Sequence, residues 1–259
     1  MLIRRHKRKM AILLVLLLAM LLAAPNALAD AGAFWGLPER KTSSLPDTRA
    51  LLELLPIEDY TLLSPGEAEE SELMRWYCAA YAAGKVPLII AVDENLTFTV
   101  RENLHAASLP DTLKAAEALY AQNAGGMDVP PPAAVRLPRD MAYPSVPFAQ
   151  EWLLVTLRAD APWQVPALVP FGGWNDCPPP AEQAAALRDW QNRFGAVPCL
   201  MTSDSLSLLV DRPPQSPQEA LPLAQEMLAF CEDLYLGFES AGDLAQALSG
   251  AGLWYFWWD

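Results

Sequence analysis

The segment Pro198-Cys199-Leu200-Met201-Thr202-Ser203-Asp204-Ser205-Leu206-Ser207-Leu208-Leu209-Val210 reads as a β-hairpin that turns near Ser203 and Asp204. In its second arm Leu206, Leu208 and Val210 alternate with Ser205, Ser207 and Leu209, so the two serines are expected to face water. Upstream, Pro180 suits the first turn of a helix that runs to Phe194, with Leu187, Trp190 and Phe194 on its apolar face and Gly195 as its stop. Further back, Trp152 to Leu157 reads as a strand. Downstream, Ser216-Pro217-Gln218-Glu219 is a capping box that opens a helix with the apolar stripe Ala220, Ala224, Met227, Leu228 and Cys231, bent at Pro222. A short helix from Ala241 to Leu248 follows, and Trp254-Tyr255-Phe256-Trp257-Trp258 reads as a strand that buries rings on both faces. The C-terminal order is thus β-α-β-β-α-α-β. It predicts an α+β fold, a mixed sheet with helices packed on it, compatible with a ferredoxin-like layout.

Nearer the N-terminus, Ser64 and Glu67 form a capping box for a helix over Ser64–Gly84 with Leu73, Trp76, Tyr77, Ala80 and Tyr81 at helical spacing. Val86 to Val92 reads as a buried strand bounded by the polar Asp93-Glu94-Asn95, and Asp111 to Asn123 as a second helix. Prolines 130, 131, 132, 138, 144 and 147 mark residues 128–147 as a linker between an N-terminal α/β region, 30–127, and a C-terminal domain, 148–259.

Residues 1–29 have the composition of a signal peptide. Arg4, Arg5, Lys7, Arg8 and Lys9 precede an apolar run from Met10 to Ala24, shorter than the ~20 residues of a spanning helix, and Ala27-Leu28-Ala29 offers a cleavage site. The protein is therefore expected to be exported and cleaved after Ala29, with membrane association only through an uncleaved signal sequence. Cleavage would deepen the net charge from −13 to about −18, because it removes five cations and no carboxylate. A surface of that sign repels phosphate backbones, which excludes nucleic-acid partners, and it admits a cationic partner such as a basic toxin to be neutralised. Cys78, Cys177, Cys199 and Cys231 are an even set with no CxxC spacing, which gives no support to a zinc site. Buried thiols and disulfides are both compatible with them in an oxidising compartment.

Four segments stand out together: Trp163 to Pro178, containing Phe171-Gly172-Gly173-Trp174-Asn175-Asp176-Cys177-Pro178, the helix with Trp190 that ends at Phe194-Gly195, the strand from Asp204 to Pro214, and the aromatic ending Trp254 to Asp259. In this order they resemble domain of unknown function family 4253, a bacterial family. The similarity spans residues 150–259, with Gly84 to Ile90 similar to the family's upstream helix-strand segment. The chain departs from the family in having Phe230-Cys231-Glu232-Asp233 where Tyr-Cys-Pro-Asp is usual, and in its export signal. The resemblance implies no activity, cofactor or catalytic residue. Cys177 and Cys231, both in similar motifs, are expected to be neighbours and are the candidate disulfide.

Candidate ligand-binding residues are Gly172, Gly173, Trp174, Asn175, Asp176, Asp204 and Asp233. Paired glycines permit close backbone approach while Trp and Asn can line a pocket, but no lysine completes a phosphate loop and no third glycine a dinucleotide fingerprint. The same segment is equally a tight turn that seats Trp174 in the core. Asp176, Asp204, Asp233 and Asp259 could serve as paired acids if the fold gathers them, as in a hydrolase acting on glycans. HExxH and GxSxG are absent, and the lone histidine beyond the signal, His105, reads as a surface or helix-end residue. The leading expectation is a non-enzymatic module that binds a protein or small ligand through its aromatic and Gly-Gly segments, with no cofactor and no metal. The alternatives are the carboxylate hydrolase and a purely structural domain.

Overall fold

In a computed structural model, residues 41–64, 67, 70–123, 128–135, 137 and 149–259 are described. The expected signal sequence and much of the 128–147 segment lie outside them. The elements are α1 (Pro46–Leu54), β1 (Ile57–Leu63), α2 (Glu70–Ala82), β2 (Val86–Val92), α3 (Glu94–Ala106) and α4 (Leu109–Asn123), followed by β3 (Glu151–Leu157), α5 (Val165–Leu168), α6 (Pro180–Phe194), β4 (Ala196–Met201), β5 (Ser205–Val210), α7 (Pro217–Phe230), α8 (Ala241–Leu248) and β6 (Leu253–Trp257). Single 3₁₀ turns at Pro162–Gln164 and Glu232–Leu236 complete the set.

One mixed six-stranded sheet runs β1-β3-β2-β4-β5-β6. All neighbours are antiparallel except β2 and β4. The fold is therefore α+β, and the C-terminal order of elements is the expected one except for the short α5, which falls in a stretch expected to be loop. Residues 128–147 do not divide two sheets, because β3 from beyond them lies between β1 and β2 from before them.

Alternation along the strands sends side chains into two cores. Leu88, Ile90, Leu153, Val155, Leu206 and Leu208 face a large cluster shared with α1 and α3 to α8, whereas Ile89, Leu154, Cys199 and Leu209 face a smaller one under α2. Within the large cluster Trp190 sits at the centre of an aromatic group. Its ring lies 5.0 Å from Phe230, 6.1 Å from Trp254 and 5.4 Å from Phe256. On the opposite face Tyr77 Oη donates to the Pro198 carbonyl at 2.5 Å, tying α2 to β4.

Local signals account for most helix ends. Ser216 Oγ accepts from Glu219 N–H and Ser240 Oγ from Asp243 N–H, and Gly195 closes α6 in the left-handed region at φ 63°. Several expectations need correction. Helix α2 starts at Glu70 and not at Ser64, although Ser64 N–H does donate to the Glu67 carboxylate. Residues 94–106 form α3, unassigned from sequence: Asp93 is an N-cap whose Oδ1 accepts from Leu96 N–H at 2.8 Å, and Leu96, Val100 and Leu104 then follow at helical spacing. Ser205 and Ser207 do not face water. They lie on the sheet face under α2 and are 2% and 1% exposed, Ser205 sharing a hydrogen bond with Thr202 Oγ1 at 2.7 Å.

The terminal strand also differs from expectation. Trp254, Phe256 and Trp258 are buried on the helical side, but β6 is an edge strand, and Tyr255 on its other face is 45% exposed. Aromatic density marked the segment as buried without revealing that only one face would be covered.

Candidate functional site

The Phe171–Cys177 loop is built from its own backbone. Gly172 and Gly173 have φ of 92° and 80°, Gly173 N–H donates to the Cys177 carbonyl at 3.0 Å, and Cys177 N–H returns to Trp174 at 3.0 Å. Two side chains clamp this turn from outside. Asn103 of α3 donates to the Pro170 and Gly172 carbonyls, and Gln183 of α6 donates to the Phe171 and Pro178 carbonyls at 2.8 Å. Trp174 packs edge-on to Phe171 at 6.4 Å. The two glycines thus serve a tight turn, with Gly172 in close contact with Gln183, Pro178 and Cys177.

Beyond the glycines the loop turns towards the last residues of the chain. Asn175, at φ 44°, donates from Nδ2 to the Asp259 carbonyl at 2.6 Å. Asp233 Oδ2 accepts the Asp259 N–H at 2.9 Å. Asp204 accepts from Thr202 Oγ1 at 2.6 Å and from the Trp257 indole at 3.3 Å, while its carbonyl takes the Trp258 N–H at 2.9 Å. The fold therefore gathers Asn175, Asp204, Asp233 and Asp259 at one end of β6, each holding the aromatic ending in place. Asp176 stands apart from that network and lines a separate hollow with Glu232 and Tyr235. His105 is exposed in the last turn of α3.

Beside β6 lies the feature that sequence reasoning missed. The strand, the 3₁₀ turn at 232–236 and α8 enclose an apolar groove of about 480 Å³, lined by Leu234, Leu236, Phe238, Leu248, Tyr255 and Trp257, with Asp233 at its margin. Leu236 is 73% exposed. Backbone polarity adds to this. Gly252 and Trp258 pair inward with Val210 and Asp204, so by strand alternation the N–H and C=O groups of Leu253, Tyr255 and Trp257 point away from β5. Among the described residues only the Trp257 carbonyl of these is taken up, by the Cys231 thiol at 3.1 Å. The one sequence-level hint was charge: from Pro213 to Asp259 the chain carries seven carboxylates and no Lys, Arg or His.

All four cysteines are free thiols. Cys177 and Cys231 share the large core, close enough for the Cys231 charge to raise the Cys177 pKa after burial has done most of the work, and Cys78 acts likewise on Cys199. Burial pushes Cys78 and Cys231 from the ordinary 9.0 up to about 11, and Cys177 and Cys199 further. The linked stability has a definite sign. A thiol that ionises in the unfolded chain at 9.0 but resists ionisation when folded contributes stability below pH 9, and that contribution is lost as pH rises towards 11. Tyr77 and Tyr81, raised by burial, act in the same direction above pH 10. The melting temperature should therefore fall steadily above about pH 9, less steeply in Cys231→Val. A flat profile to pH 11 would contradict this burial.

Among the described residues no group of three or more His, Cys, Asp or Glu could hold a metal ion, and no helix is long and apolar enough to cross a membrane. No curated protein and no solved structure matches the chain. Residues 153–259, from β3 through the glycine loop and the groove to the last residue, match the model of a family described as a domain of unknown function (DUF4253).

Proposed function

We propose that this is an exported, non-enzymatic binding module whose recognition surface is the free edge of β6 and the apolar groove beside it. The observation that carries the reading is the pairing of outward-facing backbone groups at Leu253 and Tyr255 with exposed apolar side chains at Leu236 and Tyr255. Monomeric proteins rarely leave such a combination in water without a use for it, since a bare strand edge is also a template for aggregation. The Asp204 and Asp233 carboxylates are occupied as acceptors for the chain end, which favours binding over acid-base chemistry. Export rests on the basic and apolar composition of residues 1–29.

A thermal-shift screen of the purified protein against peptides, oligosaccharides and metabolites tests the reading. A ligand at ~100 times its Kd stabilises by about 2.7 kcal/mol, which for a domain of this size raises the melting temperature by roughly 5–10 °C. The shift should vanish in Leu236→Asp/Tyr255→Asp, whose unliganded melting temperature should stay within about 2 °C of the parent because both side chains are exposed. Shifts that survive the double substitution would place binding elsewhere and overturn the reading.

A further inference from the structure

Resting on that reading of the groove, the geometry points to a specific class of occupant: we infer that the edge of β6 takes up an extended, cationic segment of another protein as a seventh strand of the sheet. The backbone supplies the first part of the argument. Leu253 and Tyr255 each present an outward N–H and C=O, and Trp257 adds an N–H, while the Cys231 thiol on the Trp257 carbonyl ends the available ladder. That is enough for a segment of about five residues, ~17 Å long. Strand addition draws affinity from such main-chain bonds and specificity from pockets for alternate side chains. Leu236, Phe238 and Leu248 supply the pocket wall on one side of the strand.

Charge supplies the second part. Asp233 lies at the margin of the groove, Glu232 precedes it in the same 3₁₀ turn, and Glu239, Asp243 and Asp259 belong to the same cation-free stretch from Pro213 onward; among the described residues none of the five forms an ion pair with a Lys or Arg. Arg212 is the last cation in the chain. A lysine- or arginine-bearing strand would meet complementary charge on docking, which steers encounter and rejects acidic competitors. The same carboxylates argue against a second copy as occupant. Edge-to-edge pairing of two β6 strands would bring two such acidic ends together with no compensating cation.

The experiment is fluorescence anisotropy on the purified full chain with a labelled peptide of alternating lysine and valine, about nine residues long. Its controls are the glutamate-valine counterpart, a neutral threonine-valine version, and a lysine-valine peptide N-methylated at alternate residues. The expected result is binding of the cationic peptide at least about 100-fold tighter than of the acidic one, weakened roughly tenfold in Glu232→Gln/Asp233→Asn/Glu239→Gln. It should be lost on N-methylation and in Tyr255→Pro. Because the Tyr255 N–H points away from β5, that proline removes an outward donor and leaves the β5 ladder intact, so the variant should keep its melting temperature within about 3 °C.

Each other outcome overturns the inference in a different way. Equal binding of the N-methylated peptide would reduce the interaction to charge adhesion. Equal, edge-dependent binding of neutral or acidic peptides would leave the binding-module reading standing and remove the cationic class. A concentration-dependent dimer abolished by Tyr255→Pro would make a second copy the occupant. Absence of both peptide binding and dimerisation would remove the inference, and the binding-module reading beneath it would fall with it only if the thermal-shift screen also gave no shift that depends on Leu236 and Tyr255.

Discussion

A chain ending at Gly252 is expected not to fold. The seven residues removed include Trp254, Phe256 and Trp258, all at most 2% exposed and packed on Trp190, Phe230 and Phe171. Truncation of a buried large ring costs ~3–5 kcal/mol, so three of them match most or all of the ~5–15 kcal/mol by which a domain is ordinarily stable. The loss extends beyond the rings. Asp204 loses the Trp257 and Trp258 donors, Asn175 and Asp233 lose Asp259, and β5 becomes an unpaired edge carrying Leu206 and Leu208. Circular dichroism and limited proteolysis would show a chain without a cooperative transition. Single substitutions refine the expectation: Phe256→Ala should lower the melting temperature by roughly 10 °C, and Ala at the half-exposed Tyr255 by little. A soluble truncated protein with an unchanged transition would mean that these rings contribute nothing.

Gly172→Ala should be the most damaging change of a single small residue. A Cβ at this position would overlap Gln183 Nε2 and the Pro178 carbonyl and come within 2.9 Å of Cys177 Sγ, and φ is +92°. The Pro178 oxygen is backbone and Gln183 is engaged at Phe171, so neither can yield without breaking the loop. Strain in the left-handed region costs ~1–2 kcal/mol and overpacking ~1–3 kcal/mol, for a total of about 2–5 kcal/mol and a fall of roughly 5–20 °C in melting temperature. Gly84→Ala is the matched control. It shares a positive φ, +78°, but a Cβ there meets nothing within 4 Å, so only the backbone strain of about 1 kcal/mol applies. Equal shifts in the two variants would rule out close approach as the reason for glycine at 172.

How much of this was legible depended on how local each signal is. Helix α6 was readable to within a residue because its Pro180 start and Gly195 stop are set by the dihedral preferences of single residues. Helix α3 was overlooked because Asp93-Glu94-Asn95 can end a strand or begin a helix, and the deciding contacts of Leu96 and Val100 come from elsewhere in the chain. The burial of Ser205 and Ser207 could not be read from alternation, which assigns residues to two faces but does not say that α2 and its neighbours cover the second one. For the site, the motif residues Asn175, Asp204 and Asp233 proved to be near one another, yet the clamps Asn103 and Gln183 were not foreseen. Asn103 reaches the loop across 67 positions of sequence, beyond any local pattern. The groove itself exists because β6 is an edge, and strand order is a property of the assembled sheet alone.

That strand order also governs the timetable of folding. With β3 inserted between β1 and β2, the two early strands cannot touch each other; they are held about 10 Å apart by a strand synthesised some sixty residues later. Among the described residues the two early strands therefore have no sheet of their own to settle into and must wait for residues 151–157 to arrive. Long-range pairings of this kind delay the rate-limiting step until most of the chain is available, so the nascent polypeptide stays pliable and unfolded for longer than its helical content suggests.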